Sequence, residues 1–400
     1  MEIKNTNFNG GIGEIICNLH SLTMKSCKIN SPHNITNKGV LFSSLEDRNH
    51  LEKFISNKGK VIFKTDNGNP NNKGYSYLDS LINKGKKDST INLDYDIKLM
   101  SEEKELYENG IEIINDNLIV DGNGHCIDAN FLGSIFSIHS KKIILRNIRF
   151  INTDFNGYGA LNLDNSDLKL ENCIFMNNSS LEGSCIKSEK SSIEVNSCKF
   201  IDNFSKSGGA INILESDLEL NDCEFEKNSA NNGGSIYFIA SELNIVNCRF
   251  NNNKAHIGGA ICQNYADKYS TLNIVKSIFS NNMDKNGGPS IYLCENLKTN
   301  ILNSSFEENI KDVRYTGVDI INFSKNFRSS RDSMNLLKNC DFKGSEKNII
   351  FNMSNLTLVG CNLKKHHKIK ENGGKLIVLD NSDEFEDFNT LIHSGEKISS

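Results

Sequence analysis

The chain has 400 residues, of which 37% are hydrophobic and 24% are charged. That apolar content is enough for a large folded core and excludes a disordered linker. The net charge of −5 offers no basic surface of the kind that nucleic acid requires, and no apolar run approaches the ~18 residues of a membrane span. We therefore expect a globular protein with no nucleic-acid partner and no membrane span in this chain.

Residues 1–45 already contain the residue types of a repeat that becomes regular further along the chain. Phe8 is followed by Gly10 and Gly11, and Leu22 is followed by Cys27. We predict partial β-helix coils here, as at the end of a preceding solenoid, and expect the chain to start within a coil.

Residues 46–110 lack this repeat and predict a linker with a partly helical cap. Two apolar segments have helical spacing and a following glycine, namely Leu51, Phe54 and Ile55 before Gly59, and Leu78, Leu81 and Ile82 before Gly85. A cap is expected because the open end of a β-solenoid must be covered to prevent edge pairing.

Residues 111–365 contain a repeat of about 25 residues, so each residue is interpreted by its position within the repeat. Phenylalanine marks the repeat at Phe150, Phe175, Phe200, Phe225, Phe250, Phe279, Phe306 and Phe342. Two residues before each phenylalanine lies a small or apolar residue, at Ile148, Cys173, Cys198, Cys223, Cys248, Ser277, Ser304 and Cys340. The last intervals are longer than 25 residues, which indicates insertions.

Asparagine and glycine follow the phenylalanine at fixed distances. Asparagine stands three residues later, at Asn178, Asn203, Asn228, Asn253, Asn282 and Asn309. Glycine stands five residues after that, at Gly183, Gly208, Gly233, Gly258 and Gly287. A serine then precedes an alternating apolar pair, as in Ser216 before Leu218 and Leu220. Alternation with a period of two is typical of half-buried strands.

Such a unit cannot bury its apolar face alone, so successive units must stack with like residues above like residues. The sequence therefore predicts an all-β fold, a right-handed parallel β-helix with about 25 residues per coil. Phenylalanine and leucine columns would fill the interior, asparagines would bond to one another along the axis, and paired glycines would permit unusual backbone angles. Stacked cysteines favour free thiols over disulfides, because parallel side chains rarely reach the disulfide torsion.

Several acidic residues are candidates for catalysis, and each has a structural alternative that we favour. Asp121, His125 and Asp128 lie in a segment that predicts a tight turn opening the first coil. Asn152-Thr153-Asp154 resembles one motif of the polygalacturonases, but their other motifs are missing, so Asp154 is interpreted as a turn residue. We therefore assign no catalytic, cofactor-binding or metal-binding residue, and expect no cofactor.

An acidic stripe is predicted where three acids follow the ladder serines, at Asp167, Asp217 and Glu242, with Ser192 interrupting it. Solvated turn acids are the favoured interpretation, and a weak calcium site is the alternative. The longer intervals between Phe250 and Phe279, and between Phe306 and Phe342, are where a specific binding site is expected, because insertions in solenoids cluster on the binding face.

Residues 366–400 are predicted to be a tail. Residues 388–395 resemble residues 78–85, so the tail is interpreted as the possible beginning of another cap. A basic cluster at residues 364–368 is interpreted as a solvated loop.

The repeat motifs resemble two known groups. Phe200-Ile201-Asp202-Asn203 followed by Gly208-Gly209-Ala210-Ile211 is similar to the repeats of chlamydial polymorphic outer-membrane proteins and of adhesin-like β-helix proteins of methanogenic archaea. The archaeal resemblance extends over residues 78–310, because it includes segments like 91–96 and 120–129. It implies a cell-surface or extracellular protein engaged in adhesion.

Three functional hypotheses follow. The favoured one is a non-catalytic surface protein that binds glycans or proteins of other cells, or serves as an extended stalk. The second is a polysaccharide lyase or glycoside hydrolase, because parallel β-helices also support such enzymes. The third is an inactive fragment of a larger surface protein, since Met1 begins no recognisable export signal. The sequence leaves the oligomeric state undetermined.

Overall fold

The structure is a computed structural model. It describes residues 72–84, 90–294, 296–311, 334–343, 348–352, 354–364, 368–371 and 375–379. It also describes strand Ile321–Phe323 and the strands of residues 2–64. It resolves one long stack of parallel strands, preceded in the chain by a shorter one. Neither α-helix in this part of the chain is long and apolar enough to cross a membrane.

The first stack lies in residues 2–64, where strands pair in parallel about 20 residues apart. Its four-stranded sheet contains Glu2–Lys4, Ser21–Lys25, Val40–Ser44 and Lys60–Lys64. Its smaller sheets contain Asn7–Phe8 with Lys28–Ile29, and Gly13–Asn18 with His33–Asn37 and Ile55–Asn57. Parallel strands therefore occur in residues 1–45, and they continue to Lys64, beyond the boundary predicted at residue 45.

The main stack has three long parallel sheets, which we name in the order in which a coil visits them. Sheet 1 has twelve described strands: Thr90–Asn92, Ile119–Asp121, Ile143–Arg146, Asp167–Glu171, Ser192–Asn196, Asp217–Asn221, Glu242–Val246, Ser270–Val275, Leu297–Leu302, Met334–Lys338, Asn355–Val359 and Leu376–Leu379. Sheet 2 has ten: Ile97–Lys98, Cys126–Asp128, Arg149–Ile151, Ile174–Met176, Lys199–Ile201, Glu224–Glu226, Arg249–Asn251, Ile278–Ser280, Ser305–Glu307 and Asp341–Lys343.

Sheet 3 has eleven described strands: Ile111–Ile113, Phe136–Ile138, Leu161–Asp164, Ile186–Glu189, Ile211–Leu214, Ile236–Ile239, Ile261–Gln263, Ile291–Leu293, Ile321–Phe323, Asn348–Asn352 and Lys368–Glu371. A two-stranded pair, Met283–Asp284 with Ile310–Lys311, lies in the turn that leads from sheet 2 to sheet 3. Every described strand pairing is parallel, for example Leu168 with Ile193 and Ile193 with Leu218. This confirms the predicted β-solenoid of about 25 residues per coil.

The interior consists of apolar side chains that repeat from coil to coil. Rings from Phe150 to Phe342 form one column, in which consecutive centroids lie 4.6–5.1 Å apart and the planes are within 18° of parallel. That separation matches the spacing of adjacent strands. All eight rings are almost completely buried. Offset stacking of this kind adds to the free energy gained by burying each ring.

A short helical segment covers the first coil. Helix α1 is Tyr75–Lys84, and a 3₁₀ turn, Ser101–Glu103, leads into helix α2, Lys104–Tyr107. Tyr75, Leu78 and Ile82 of α1 belong to the same buried core as the coils. The Glu103 carboxylate accepts hydrogen bonds from the N–H groups of Tyr75 and Ser76, and so caps the start of α1.

Three local predictions were wrong. The coils do not end at residue 365, because strands Lys368–Glu371 and Leu376–Leu379 extend sheets 3 and 1 into the predicted tail. Ile55 lies in strand Ile55–Asn57 and not in a helix, because its backbone pairs in parallel with Ile35 of the preceding coil. Leu51 and Phe54 lie outside the described residues. The residue equivalent to Gly258 is Gly288 and not Gly287, because one extra residue lengthens this turn. At both Gly258 and Gly288 φ is near +70°, and an added Cβ would meet a backbone oxygen of the next strand.

Candidate functional site

The predicted asparagines form a buried polar column beside the phenylalanines. Asn178, Asn203, Asn228, Asn253, Asn282 and Asn309 all have no exposed surface. The side-chain oxygen of Asn228 accepts the N–H of Asn203 at 3.1 Å, and its amide donates to the carbonyl of Phe200 at 2.8 Å and to Asn253 at 3.1 Å. Each asparagine thus satisfies backbone groups of a turn that would otherwise be buried without partners.

Cysteine and serine share a second column at the corner between sheets 1 and 2. The N–H of Cys223 donates to the sulfur of Cys248 at 3.4 Å, and the N–H of Cys248 donates to the Ser277 hydroxyl at 3.1 Å. The Cys248 thiol donates to the carbonyl of Val246. All ten cysteines of the described residues are free thiols. Thiol and hydroxyl therefore perform the same task here, which is to satisfy a buried N–H group.

A third column of serines lies at the corner between sheets 3 and 1. The N–H groups of Ser140, Ser166, Ser191, Ser216 and Ser241 each donate to the hydroxyl of the next coil's serine at 3.0–3.3 Å. The hydroxyl of Ser216 in turn donates to the carbonyl of Leu214. In each of these three columns, the repeating polar side chain therefore accepts a hydrogen bond from a buried backbone N–H group of the preceding coil.

Sequence reasoning missed that each corner requires a left-handed residue. The described residues include 25 non-glycine positions with positive φ, and asparagine holds fourteen of them. Examples are Asn147 and Asn172 between sheets 1 and 2, and Lys190 and Ala240 between sheets 3 and 1. The abundance of asparagine was the signal that could have located these positions, because asparagine tolerates this conformation better than most residues.

Asp121 is nearly buried and fully engaged in holding the first corner. Its carboxylate accepts hydrogen bonds from the N–H of Asn123, the amide of Asn147 and the guanidinium of Arg146, at 2.8–3.0 Å. Burial raises the pKa of Asp121, but these three donors outweigh burial and hold the pKa below its ordinary value. Asp121 is thus an ionised structural acceptor.

His125 and Asp128 have separate structural partners. The Nδ1 atom of His125 lies 3.1 Å from a carboxylate oxygen of Asp96, which also accepts the N–H of Cys126. Asp128 accepts the N–H of Asn130 and the amide of Asn152. None of the hydrogen bonds or ion pairs in the described residues joins Asp121, His125 and Asp128 to one another. Sequence reasoning missed Asp96, which lies 29 residues before the histidine that it holds.

Asp154 lies in the long turn between sheets 2 and 3. It is half-buried, and burial raises its pKa although the N–H groups of Asn156 and Phe155 lower it. The neighbouring Thr153 occupies the column that asparagine fills in later coils, since its N–H donates to the Asn178 side chain at 3.3 Å. Phe155 stacks on Phe204 at 5.7 Å in a small cluster outside the main core, which the sequence pattern did not reveal.

The predicted acidic stripe exists as a row on the outer face of sheet 1. Asp167, Ser192, Asp217 and Glu242 occupy equivalent positions in four successive strands. Burial, and then the nearby charge of Glu242, raise the pKa of Asp217. Glu194, in the adjacent row, pairs with Lys169 at 3.0 Å. The described residues contain no group of three or more His, Cys, Asp or Glu side chains placed to hold a metal ion.

Two concave regions lie on the coils. One, of about 470 Å³, is lined by Asn123, Gly124, Asn147, Ile148, Arg149, Asn172 and Ile174. The other, of about 250 Å³, lies over the acidic row and is lined by residues that include Asp217, Glu219 and Glu242. Both are open to solvent and follow the regular coil surface, so neither has the enclosed form that is typical of small-molecule sites.

The first predicted insertion is an ordered excursion of residues 264–269 between sheets 3 and 1. The Asn264 amide donates to the Tyr237 hydroxyl at 2.8 Å, the Lys268 ammonium lies 2.6 Å from Glu215, and the Asn296 amide donates to the carbonyl of Ala266 at 2.8 Å. The excursion is therefore fixed to coils on both sides. Most of the second insertion, and residues 365–367 of the basic cluster, lie outside the described residues.

Comparison with known proteins gives one family match. Residues 83–184 match the family described as "Putative pectate lyase-like adhesive domain". This segment runs from the end of α1 through the first coils. No curated protein matches the chain.

Among solved structures, the chain is similar to the crystal structure of a hyperthermoactive exopolygalacturonase from Thermotoga maritima. The identity is 13%, the match covers 91% of this chain and 72% of that chain, and the TM-score is 0.31. A TM-score this low carries no argument about activity.

Proposed function

We propose that this chain is a non-catalytic, adhesin-like β-helix protein that binds glycans or proteins at the surface of other cells. The observation that carries the proposal is the match of residues 83–184 to an adhesive-domain family. The similarity of the repeats to those of adhesin-like archaeal proteins and chlamydial surface proteins is consistent with it. An extended, regular surface built from repeats suits adhesion, because many weak contacts can form along one face.

The hydrogen bonds that the acidic residues already accept support binding over catalysis. A hydrolase of this fold class requires two carboxylates on either side of one sugar bond, about 5–9.5 Å apart. Asp121 and Asp128 instead accept hydrogen bonds from the corner asparagines Asn147 and Asn152 of the next coil. Carboxylates held in this way stabilise the turns, and a substrate would have to compete with their present donors.

The test is binding of the full chain to surfaces. Beads that carry the purified chain would be applied to immobilised glycans, immobilised surface proteins and intact cells, and the number retained would be counted against beads that carry albumin. Saturable retention that soluble chain displaces is the expected result. Retention equal to that of albumin beads on every surface would contradict the proposal.

A further inference from the structure

We infer that the excursion 264–269, together with Tyr292 of sheet 3 in the following coil, is a binding site for a neutral polysaccharide. The inference rests on the proposed function and names one ligand class and one location for it. The corner between sheets 3 and 1 that contains the excursion differs in length from its neighbours. Elsewhere one residue, such as Lys190, Glu215 or Ala240, separates the last strand position of sheet 3 from the column serine.

Here the same corner is four residues longer, since Leu243 pairs with Leu272, 29 positions later, whereas Leu218 pairs with Leu243, 25 positions later. The serine column is unbroken across it, because the N–H of Ser241 still donates to the Ser270 hydroxyl at 3.3 Å. The excursion therefore adds surface without adding to the core. Ordering four extra residues costs conformational entropy, so a role outside folding is the simplest reason for the presence of the excursion.

The excursion is held in a fixed conformation before any ligand binds. Asn264 fixes its beginning to Tyr237 of the preceding coil, and Lys268 fixes its end to Glu215, two coils back. The carbonyl of Ala266 accepts the Asn296 amide of the following coil. A prearranged loop loses little conformational entropy on binding, which favours affinity.

This region concentrates tyrosine. It contains four of the ten tyrosines in the chain, namely Tyr237, Tyr265, Tyr269 and Tyr292. Tyr237 and Tyr292 lie on the outer face of sheet 3, and the excursion carries the other two. Tyr237 is buried and anchors the excursion through Asn264, whereas Tyr292 is half-buried. Tyr269 is 43% exposed, and Tyr265 is half-buried. A tyrosine ring offers an apolar face and a polar edge, which matches a sugar ring with C–H groups on one face and hydroxyls around its rim.

The charges of the excursion favour a neutral ligand. Lys268 is paired with Glu215, and Asp267 accepts a hydrogen bond from the neutral Tyr265 hydroxyl at 2.9 Å. The excursion with Glu215 thus carries net negative charge, which opposes an anionic polysaccharide. The exposed amide of Asn264 and the carboxylate of Asp267 can accept hydrogen bonds from sugar hydroxyls.

Affinity electrophoresis of the full chain tests the inference, in native gels that contain hydroxyethylcellulose, galactomannan, arabinoxylan or polygalacturonate. The variants are Tyr265→Ala/Tyr269→Ala and a chain in which residues 265–269 are replaced by one asparagine. Tyr158→Ala is the matched control, because Tyr158 is 44% exposed and lies on another turn. Thermal unfolding of each variant checks that the coils remain intact.

The expected result is retardation of the wild-type chain by at least one neutral polymer. Its dissociation constant should rise at least tenfold in both excursion variants and stay unchanged in Tyr158→Ala. Retardation by polygalacturonate alone, by no polymer, or equally in all variants would overturn the inference. If the bead assay still shows adhesion in that case, the proposed function stands and only this site is wrong. Loss of adhesion in the bead assay would overturn both.

Discussion

The backbone angles and the buried N–H groups of the corners mainly determine which residue type occupies each position in this protein. Gly208 has φ of +64°, and an added Cβ would meet the carbonyl oxygen of Ile211. Gly124 has φ of +84° but has nothing within 4 Å of an added Cβ. These two glycines therefore separate the cost of a left-handed conformation from the cost of a steric clash.

We predict that Gly208→Ala destabilises the fold much more than Gly124→Ala. Gly124→Ala should lower the free energy of unfolding by about 1–2 kcal/mol, the cost of a left-handed alanine. Gly208→Ala should lower it by at least about 2 kcal/mol more, because the backbone must also move. Urea denaturation of both variants measures the difference. Equal losses of unfolding free energy in the two variants would contradict the prediction, because they would show that the Gly208 turn accommodates the added Cβ without strain.

The hydrogen bonds of Asp121 predict a pH dependence. Its pKa is lowered in the folded chain, so the stability it contributes is present above the unfolded pKa of about 4 and is lost as pH falls through the folded value. Asp121→Asn should therefore lower the free energy of unfolding at pH 7 by about 1–3 kcal/mol and flatten its decline below pH 4. Asp164→Asn, at an exposed position, is the control and should leave the acid decline unchanged.

At the level of elements, the sequence predicts the columns well and the corners poorly. Phenylalanine, asparagine and cysteine recur at fixed spacing because each must match the residue above and below it, so their positions in the columns can be inferred from the repeat alone. Left-handed residues such as Lys190 and Ala240 give no such signal, because lysine and alanine have no special preference for positive φ. The distant pairing of Asp96 with His125 was equally invisible, because it depends on how the cap segment lies against the first full coil.

The mixed cysteine and serine column predicts which substitutions an element tolerates. Cys248→Ser should change the free energy of unfolding by less than about 1 kcal/mol, because Ser277 already performs the same task one coil later. Cys248→Ala should cost about 1–3 kcal/mol, because the buried N–H of Cys223 loses its acceptor. Thermal unfolding under reducing conditions compares the two. A serine variant as unstable as the alanine variant would refute the equivalence.

For the whole molecule, the decisive feature is that parallel coils expose unpaired strand edges at an end unless something covers them. Helix α1 covers the first coil, and Glu103 fixes its start. The sequence predicted this helix from the spacing of Leu78, Leu81 and Ile82, whereas its capping carboxylate lies too far along the chain to be recognised.

Glu103→Ala should therefore loosen the cap and promote association through the first coil. Light scattering during size-exclusion chromatography at two protein concentrations should show larger species for this variant, increasing with concentration. Glu102→Ala, which changes an exposed neighbouring acid, should behave like the wild-type chain. A Glu103 variant with unchanged mass at both concentrations would show that the cap does not depend on this residue.

Catalytic activity on a polysaccharide would contradict the proposal that this β-helix binds its target without altering it. The most direct measurement is the release of reducing ends or unsaturated products from neutral polysaccharides and polygalacturonate during prolonged incubation with the full chain, beside the Asp128→Asn and Asp154→Asn variants. We predict no release above the buffer control from any of the three proteins. Release by the wild-type chain that either variant abolishes would contradict the claim and identify a catalytic acid.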